Sequence, residues 1–465
     1  MSSFYIENFG CRATQADGAA IEREFLNQGL ERAQTPGNAH FVVLNTCAVT
    51  ATAEQDARAS IRRIRRENPG CEVIVTGCYA QRAPREIAAL PGVSKVIGNS
   101  HKHNVAQIAL GTQSEMDSSK VGSFIPVDDL TRREAFEGSI FVSDIFAHTE
   151  LLAAPIFDSA NERTRPNLKV QDGCDNRCSF CIIPSVRGRS RSLALEEALR
   201  NVDQLVAAGY REVVISGINL GRWGRDLRTL EDGHIRKSNL ELLIKAILDG
   251  TSLEKLRISS VEPMDWSDSL IRLMAESPRI ARHAHVPMQS GSDTVLRRMR
   301  RKYRPWHYRE KIENIRAAMP SAAIGADVMA GFPGETEAEF EETRRMIEDL
   351  PFTYLHVFTF SSRPGTPAAG MPDQVAVPVA RERNRILREI AAEKKLAFMR
   401  SFIGQSVEAI TLNVVSESAY GSWTEALTDN YLKLKLEGMH EPNRWLKPKV
   451  DGIEGSHLFA RSGHV

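Results

Sequence analysis

Cys174, Cys178 and Cys181 stand in a C-x3-C-x2-C array within residues 171–192, QDGCDNRCSFCIIPSVRGRSRS. Three thiolates this close can hold three irons of a [4Fe–4S] cube. The fourth iron then has no protein ligand and is open to a small molecule. Electron-transfer clusters take four cysteines, so a three-cysteine loop points to chemistry at the open iron. The competing reading is a zinc knuckle. Zinc ordinarily takes four tetrahedral ligands in paired spacings, and no further Cys or His lies close to this loop in sequence.

Three more cysteines share a common setting. FYIENFG (4–10) ends at Cys11, FVVLNT (41–46) at Cys47 and EVIVTG (72–77) at Cys78, and a helical stretch follows each. KVIGN (95–99) reads as a further strand. Strands alternating with helices predict a parallel α/β sheet. The C-terminal ends of such strands share one edge, where these folds build their sites. Cys11, Cys47 and Cys78 are therefore expected to converge there as ligands of a second iron–sulfur cluster, again with an open iron. Cys71 precedes its strand and falls at the opposite edge. The plainer alternative is three small buried residues, since free cysteine packs well.

From residue 167 the alternation resumes with LKVQDG, EVVISG (212–217), KLRISS (255–260), AHVP (284–287), AIGADVMAG (323–331) and YLHVFTF (354–360). Each runs into a polar or glycine-rich loop, and parallel barrels place their sites at that C-terminal face. Glu262 follows the third strand and Gln289 the fourth. Each is a candidate cofactor contact, or else a loop-ordering hydrogen bond. No G-x-x-x-x-G-K-[ST] loop is present, which argues against a nucleoside triphosphatase. Basic residues cluster in VRGRSRS (186–192), with Arg187 and Arg189, and in LRRMRRKYRPW (296–306), with Arg300, Arg301, Lys302 and the aromatics Tyr303 and Trp306. IRRIRR (61–66) is a third cluster. Such runs are often solvated helix faces. Cations mixed with aromatics after a barrel strand favour phosphate contact and base stacking.

After a long helical stretch (377–402), GQSVEAITL and TEALTDNYLKLKL alternate like strands. They predict a small β-barrel of about 60 residues, a fold that binds RNA through a strand face and loops. Tyr431, Lys433 and Lys435 are its candidate RNA contacts, or its ordinary polar face. The chain has 465 residues and a net charge of +1, so bulk charge names no partner. No secretory signal is visible, and no apolar run approaches the ~18 residues needed to span a bilayer. Seven cysteines in such a chain point to a reducing compartment and to metal binding, hence to a cytoplasmic protein without a membrane partner. Residues 113–165 read as a linker. Before it, His101 and His103 read as a solvated pair.

The cysteine loop resembles the radical SAM signature, whose open iron binds S-adenosylmethionine. NFGCRATQ, LNTCAVT and VTGCYAQ resemble the N-terminal domain of the methylthiotransferases, a branch of those enzymes. One departure is Thr14, where the family usually carries Asn. The C-terminal segment resembles a TRAM domain. The resemblance covers nearly the whole chain. It implies a methylthiotransferase N-terminal domain (1–112), a radical SAM partial (β/α)6 barrel (166–402) and TRAM (403–465). Gly217 and Asn219 fall where the family approaches the amino-acid end of S-adenosylmethionine. The implied cofactors are two [4Fe–4S] clusters and S-adenosylmethionine. The implied reaction replaces C–H with C–S–CH3, using a 5′-deoxyadenosyl radical, a sulfur source, an electron donor such as flavodoxin or ferredoxin, and a second S-adenosylmethionine as methyl donor. GINLGRWGRD (217–226) and SSRPGTPAA (361–369) look most like the branch acting on N6-threonylcarbamoyladenosine at position 37, in the tRNA anticodon stem-loop. The alternatives are N6-isopentenyladenosine, a ribosomal-protein aspartate, and a non-catalytic RNA-binding iron–sulfur sensor.

Overall fold

The structure, a computed structural model, describes residues 2–111, 138–148, 151, 164–231, 234–418 and 421–461. Most of the 113–165 linker lies outside them. The described residues form two compact units. One holds the N-terminal residues as far as 151 together with 173–175 and 181–189; the other holds 164–172, 176–180 and the chain from 190 onward.

The first unit is built on a parallel sheet of β1 (Ser3–Asn8), β2 (Glu31–Arg32), β3 (Phe41–Thr46), β4 (Glu72–Gly77), β5 (Val93–Gly98) and β6 (Ser139–Phe141). Their order is β2-β1-β3-β4-β5-β6. β3 and β4 carry the runs VVL and VIV because helices cover both faces, as central parallel strands require. Val43 and Ile74 pack on one side with Ile21, Phe25 and Ile108. Val42, Leu44, Val73 and Val75 pack on the other with Ile61, Ile64 and Ile87. Thr50 starts the helix Ala51–Glu67 by accepting the Ala53 amide at 3.2 Å, which satisfies one of its orphan donors.

In the second unit, β7 (Asn167–Asp172), β9 (Glu212–Gly217) and β12 (Lys255–Ile258) are parallel neighbours, with the short β8 (Arg191–Ser192) antiparallel to β7. The β10 (Arg228–Glu231) and β11 (His234–Lys237) hairpin is inserted after β9. β13 (His283–His285), β14 (Ala323–Ala330) and β15 (Tyr354–Thr359) form a second parallel run. A parallel bridge between Leu256 and Ile280 joins the two runs. These are the six expected βα strands, arranged as a partial barrel. The helix Val377–Arg400 then leads to β16 (Ala409–Ser418), β17 (Gly421–Thr428), β18 (Lys433–Glu437), β19 (Trp445–Leu446), β20 (Gly452–Glu454) and β21 (His457–Ala460). They form one mostly antiparallel sheet in the order β19-β16-β17-β18-β21-β20, the expected C-terminal β module.

Arg257 ties this module to the barrel. It is fully buried, donates to Glu212 Oε1 at 2.6 Å, and reaches the carbonyls of Asp429 (2.9 Å) and Thr428 (3.3 Å). A cation this deep needs its charge paired and its donors filled, and the turn after β17 completes the set. The module therefore caps the N-terminal ends of the strands, opposite the face where such barrels place their chemistry.

Candidate active site and cofactor positions

The ends of β1, β3 and β4 place Cys11, Cys47 and Cys78 at one edge of the first sheet. Cys11 is exposed; Cys47 and Cys78 are buried. Gly10 packs against Cys47 in a left-handed conformation (φ +102°), and a Cβ there would lie 2.7 Å from Cys47 Cβ and 2.9 Å from its Sγ. Only glycine allows that approach without strain. Burial pushes the Cys47 thiol up to about 12, and the neighbouring Cys78 adds to the rise. Burial also raises Cys78, against the opposing pull of Arg187. The buried thiols of Cys47 and Cys78 resist ionisation until a cation is supplied, and iron ligation supplies one. The donor set and the glycine cradle fit a cluster. Thr14 fills the departure from the family pattern: it is buried, with Oγ1 3.5 Å from Cys11 Sγ.

Beneath these cysteines lies a group that composition could not reveal. Arg187 Nη2 and Lys102 Nζ both contact Asp17 Oδ2, at 3.0 and 3.1 Å, and all three side chains are buried. Asn99 Nδ2 donates to the Val186 carbonyl at 2.7 Å and approaches Cys78 Sγ at 3.5 Å. Arg187 was expected on an RNA-binding surface. Its burial and its pairing with Asp17 correct that expectation. Arg189, two residues on, is exposed.

Cys174 and Cys181 belong to the first unit and Cys178 to the second; all three are partly buried. The Cys174 amide donates to the Gly188 carbonyl at 3.1 Å, and Gly173 is left-handed, with the Arg189 carbonyl where a Cβ would stand. In the second unit, Arg301 Nη1 donates to Cys178 Sγ at 3.2 Å, while Nη2 pairs with Glu262. Ser179 is pinned on both sides: its amide donates to the Met299 carbonyl at 3.1 Å and its hydroxyl to the Arg298 carbonyl at 2.7 Å. Arg301 is thus a buried support for Cys178 rather than an RNA contact, a second correction. Arg300 and Lys302 on either side of it are exposed, as is Trp306.

The other cofactor candidates fall at strand ends. Gly217 closes β9, and a Cβ there would lie 2.8 Å from Gln171 Oε1. The same oxygen accepts the Asn219 amide at 2.7 Å. Gln171, fully buried, is the organiser that sequence reasoning missed. Gln289 has φ +63°, a left-handed conformation that costs a non-glycine residue energy and marks sites of function. Its amide donates to the Asp327 carbonyl at 2.8 Å, and its buried Oε1 has no hydrogen-bond partner among the described residues. An orphaned buried acceptor at this face fits a site awaiting a donor from a cofactor.

In the C-terminal module, Lys433 is exposed and Lys435 pairs with Glu454 at 2.8 Å, while the alternating Leu434 and Leu436 are buried. Tyr431 corrects a third expectation. It sits in a turn, not a strand, with φ +70°, and its ring packs 4.6 Å from His283 and 5.5 Å from the Arg257 guanidinium. It seals the barrel end.

Residues 168–347 match the Radical SAM superfamily, and residues 3–98 match the family described as Uncharacterized protein family UPF0004. The fold has a structural counterpart in the radical S-adenosylmethionine methyltransferase TsrM from Kitasatospora setae, with TM-score 0.56 at 13% identity over 79% of this chain and 75% of that one. Barrel, cysteine loop and match together define a radical SAM enzyme, which works with a [4Fe–4S] cluster and S-adenosylmethionine. Three relatives refine the class. The chain is 36% identical to the threonylcarbamoyladenosine tRNA methylthiotransferase MtaB of Bacillus subtilis, covering 95% of this chain and 92% of the relative. It is 34% identical to the MtaB of Rickettsia prowazekii, covering 97% and 96%. It is 31% identical to the tRNA-2-methylthio-N(6)-dimethylallyladenosine synthase of Methylacidiphilum infernorum, covering 88% and 84%. The chain belongs to the tRNA methylthiotransferase family of radical SAM enzymes.

Proposed function

We propose that the enzyme converts N6-threonylcarbamoyladenosine at position 37 of tRNA to its 2-methylthio derivative. The observation that carries the substrate is the 36% identity over nearly the full length of a relative named for threonylcarbamoyladenosine, against 31% to one named for dimethylallyladenosine. Cys174, Cys178 and Cys181 hold the radical SAM cluster, and Cys11, Cys47 and Cys78 hold a second. When bound, the two clusters and S-adenosylmethionine supply the radical, the sulfur and the methyl group.

The chain's own residues bind and orient. Arg301 holds Cys178 in place and is itself fixed by Glu262. Gln171 sets the backbone at Gly217 and Asn219 against the amino-acid end of S-adenosylmethionine, and Gln289 offers Oε1 to the same ligand. Exposed Arg189, Arg300, Lys302 and Lys433 meet the phosphates of the anticodon stem-loop, with Trp306 as a stacking surface. Limits at 166–402 and 403–465 separate the barrel and TRAM, and the second-cluster domain runs past 112 to take in β6 (Ser139–Phe141). Electrons come from a flavodoxin- or ferredoxin-like donor, and sulfur from a separate source. Among the described residues no helix is long and apolar enough to cross a membrane, and a cytoplasmic enzyme is the reading that agrees with its substrate.

Mass spectrometry of tRNA nucleosides from a strain lacking the gene, and from the same strain complemented, tests this. Complementation is expected to restore 2-methylthio-threonylcarbamoyladenosine. Restoration of the isopentenyl nucleoside instead would keep the chemistry and replace the substrate.

A further inference from the structure

Alternate residues of three adjacent strands line the barrel interior in two layers. β13 supplies His283 and His285, β14 supplies Gly325 and Asp327, and β15 supplies Tyr354 and His356. The register pairs His285 with Gly325, Gly325 with Tyr354, and Asp327 with His356. In the lower layer Gly325 leaves room for the Tyr354 ring, whose atoms would stand about 2.0 Å from a Cβ at that position. The Tyr354 hydroxyl meets His283 Nε2 at 2.6 Å, so that imidazole is already engaged.

The upper layer has a different character. His285 Nε2 lies 3.5 Å from Asp327 Oδ1, and His356 Nδ1 lies 3.4 Å from the same oxygen. One donor atom from each of the three side chains falls within 4.8 Å of the others. Ligand atoms bound at about 2.1 Å around a tetrahedral or octahedral ion stand roughly 3.0–3.4 Å apart. The two distances to Asp327 are close to those of a coordination sphere, and the two imidazole nitrogens, within 4.8 Å of each other, need at most a small approach. The remote nitrogen of His285, Nδ1, contacts Ser260 Oγ at 2.5 Å. A hydrogen bond on the second ring nitrogen is what fixes the tautomer of a metal-bound histidine. His285 is buried, whereas the His356 side chain is 62% exposed, which gives an ion a way in.

We propose that His285, Asp327 and His356 form a divalent transition-metal site in the barrel lumen, of the zinc or iron(II) class, separate from the cysteine-held iron. The donor set is two imidazoles and one carboxylate, which suits borderline metals. Three protein ligands leave at least one coordination position open, as in catalytic rather than structural sites. That position faces the lumen and takes water or an oxygen donor of whatever molecule lies there. A simple ion pair needs only one histidine against Asp327. Here two imidazoles converge on one carboxylate oxygen, and one of them is anchored from behind.

The test uses the cluster-loaded enzyme, prepared anaerobically, with zinc as the probe. The protein is equilibrated with zinc, dialysed, and assayed for zinc and iron by mass spectrometry. About one zinc per chain is expected in excess of the cluster iron. His356→Ala and Asp327→Asn are expected to lose it while iron content is unchanged. Ser260→Ala, which keeps all three ligands, is expected to weaken zinc binding by about 10–100-fold. X-ray absorption at the zinc edge should show a nitrogen and oxygen shell. A zinc-free wild type, equal retention in the variants, or a sulfur shell indicating zinc on the cysteines would each overturn the proposal. None of these readouts depends on tRNA, so the site stands or falls independently of the substrate.

Discussion

Arg187 Nη2 and Asp17 Oδ2 are 3.0 Å apart, and each side chain is 1% exposed. Lys102 brings a second cation to the same carboxylate oxygen. Removing one partner of a buried ion pair leaves the other charge uncompensated. Asp17→Asn, which removes the buried carboxylate that both cations contact, should therefore destabilise the first unit by about 3–5 kcal/mol. Denaturant unfolding of the cluster-loaded enzyme measures this. A midpoint equal to that of the unsubstituted enzyme would mean the cations find other partners.

Gly10 tests the second cluster. Alanine at this position would need a strained φ of +102° and would press its Cβ onto Cys47. Gly10→Ala should lower cluster iron to about half that of the unsubstituted enzyme, because only the Cys11, Cys47 and Cys78 site is disturbed. The radical SAM cluster should persist, read as continued reductive cleavage of S-adenosylmethionine. Iron for only one cluster in the unsubstituted enzyme, unchanged in Gly10→Ala, would remove the second cluster from the account.

Glu24, on the helix Arg12–Asn27, gives the pH dependence. Burial raises its carboxyl to about 8, partly offset by the Ala106 amide. In the unfolded chain a glutamate titrates near ~4.3. Between those values the folded state binds more protons than the unfolded one, so stability falls as pH rises. The contribution is fully present below ~4.3 and is lost as pH passes about 8. Glu24→Gln keeps an acceptor for the Ala106 amide and cannot ionise. Its melting temperature should decline less than that of the unsubstituted enzyme between pH 6 and pH 8.5. Parallel declines would show that other groups dominate.

Arg300 and Lys302 are exposed beside the buried Arg301. If they meet phosphates, replacing both by alanine weakens tRNA binding similarly for all sequences. It should also reduce the dependence of log K on log salt by about two charges. Filter binding at several salt concentrations measures the slope, and an unchanged slope would place the tRNA elsewhere.

Much of this was readable from the chain. The C-x3-C-x2-C loop needs no distant partner, so its spacing favoured an iron–sulfur cluster over a zinc knuckle. Cys11, Cys47 and Cys78 were legible because a parallel sheet brings strand C-termini to one edge, and each cysteine follows an apolar run. The alternation of strands and helices gave the barrel. Charge was the part that misled. Arg187 and Arg301 look in sequence like their neighbours Arg189 and Arg300, yet the first pair is buried and the second exposed. What separates them is whether a carboxylate from a distant segment, Asp17 or Glu262, is delivered to the guanidinium. Ion pairing across such separations has no periodic signature. The same holds for Tyr431, which turned inward because Arg257 and His283 wait at the barrel end. Local spacing and hydrophobic period thus determined elements, fold class and the convergence of Cys11, Cys47 and Cys78 at one sheet edge. Only tertiary structure decided which charges meet water, and it alone brought His285, Asp327 and His356 together, because strand register is fixed by packing between segments far apart in the chain.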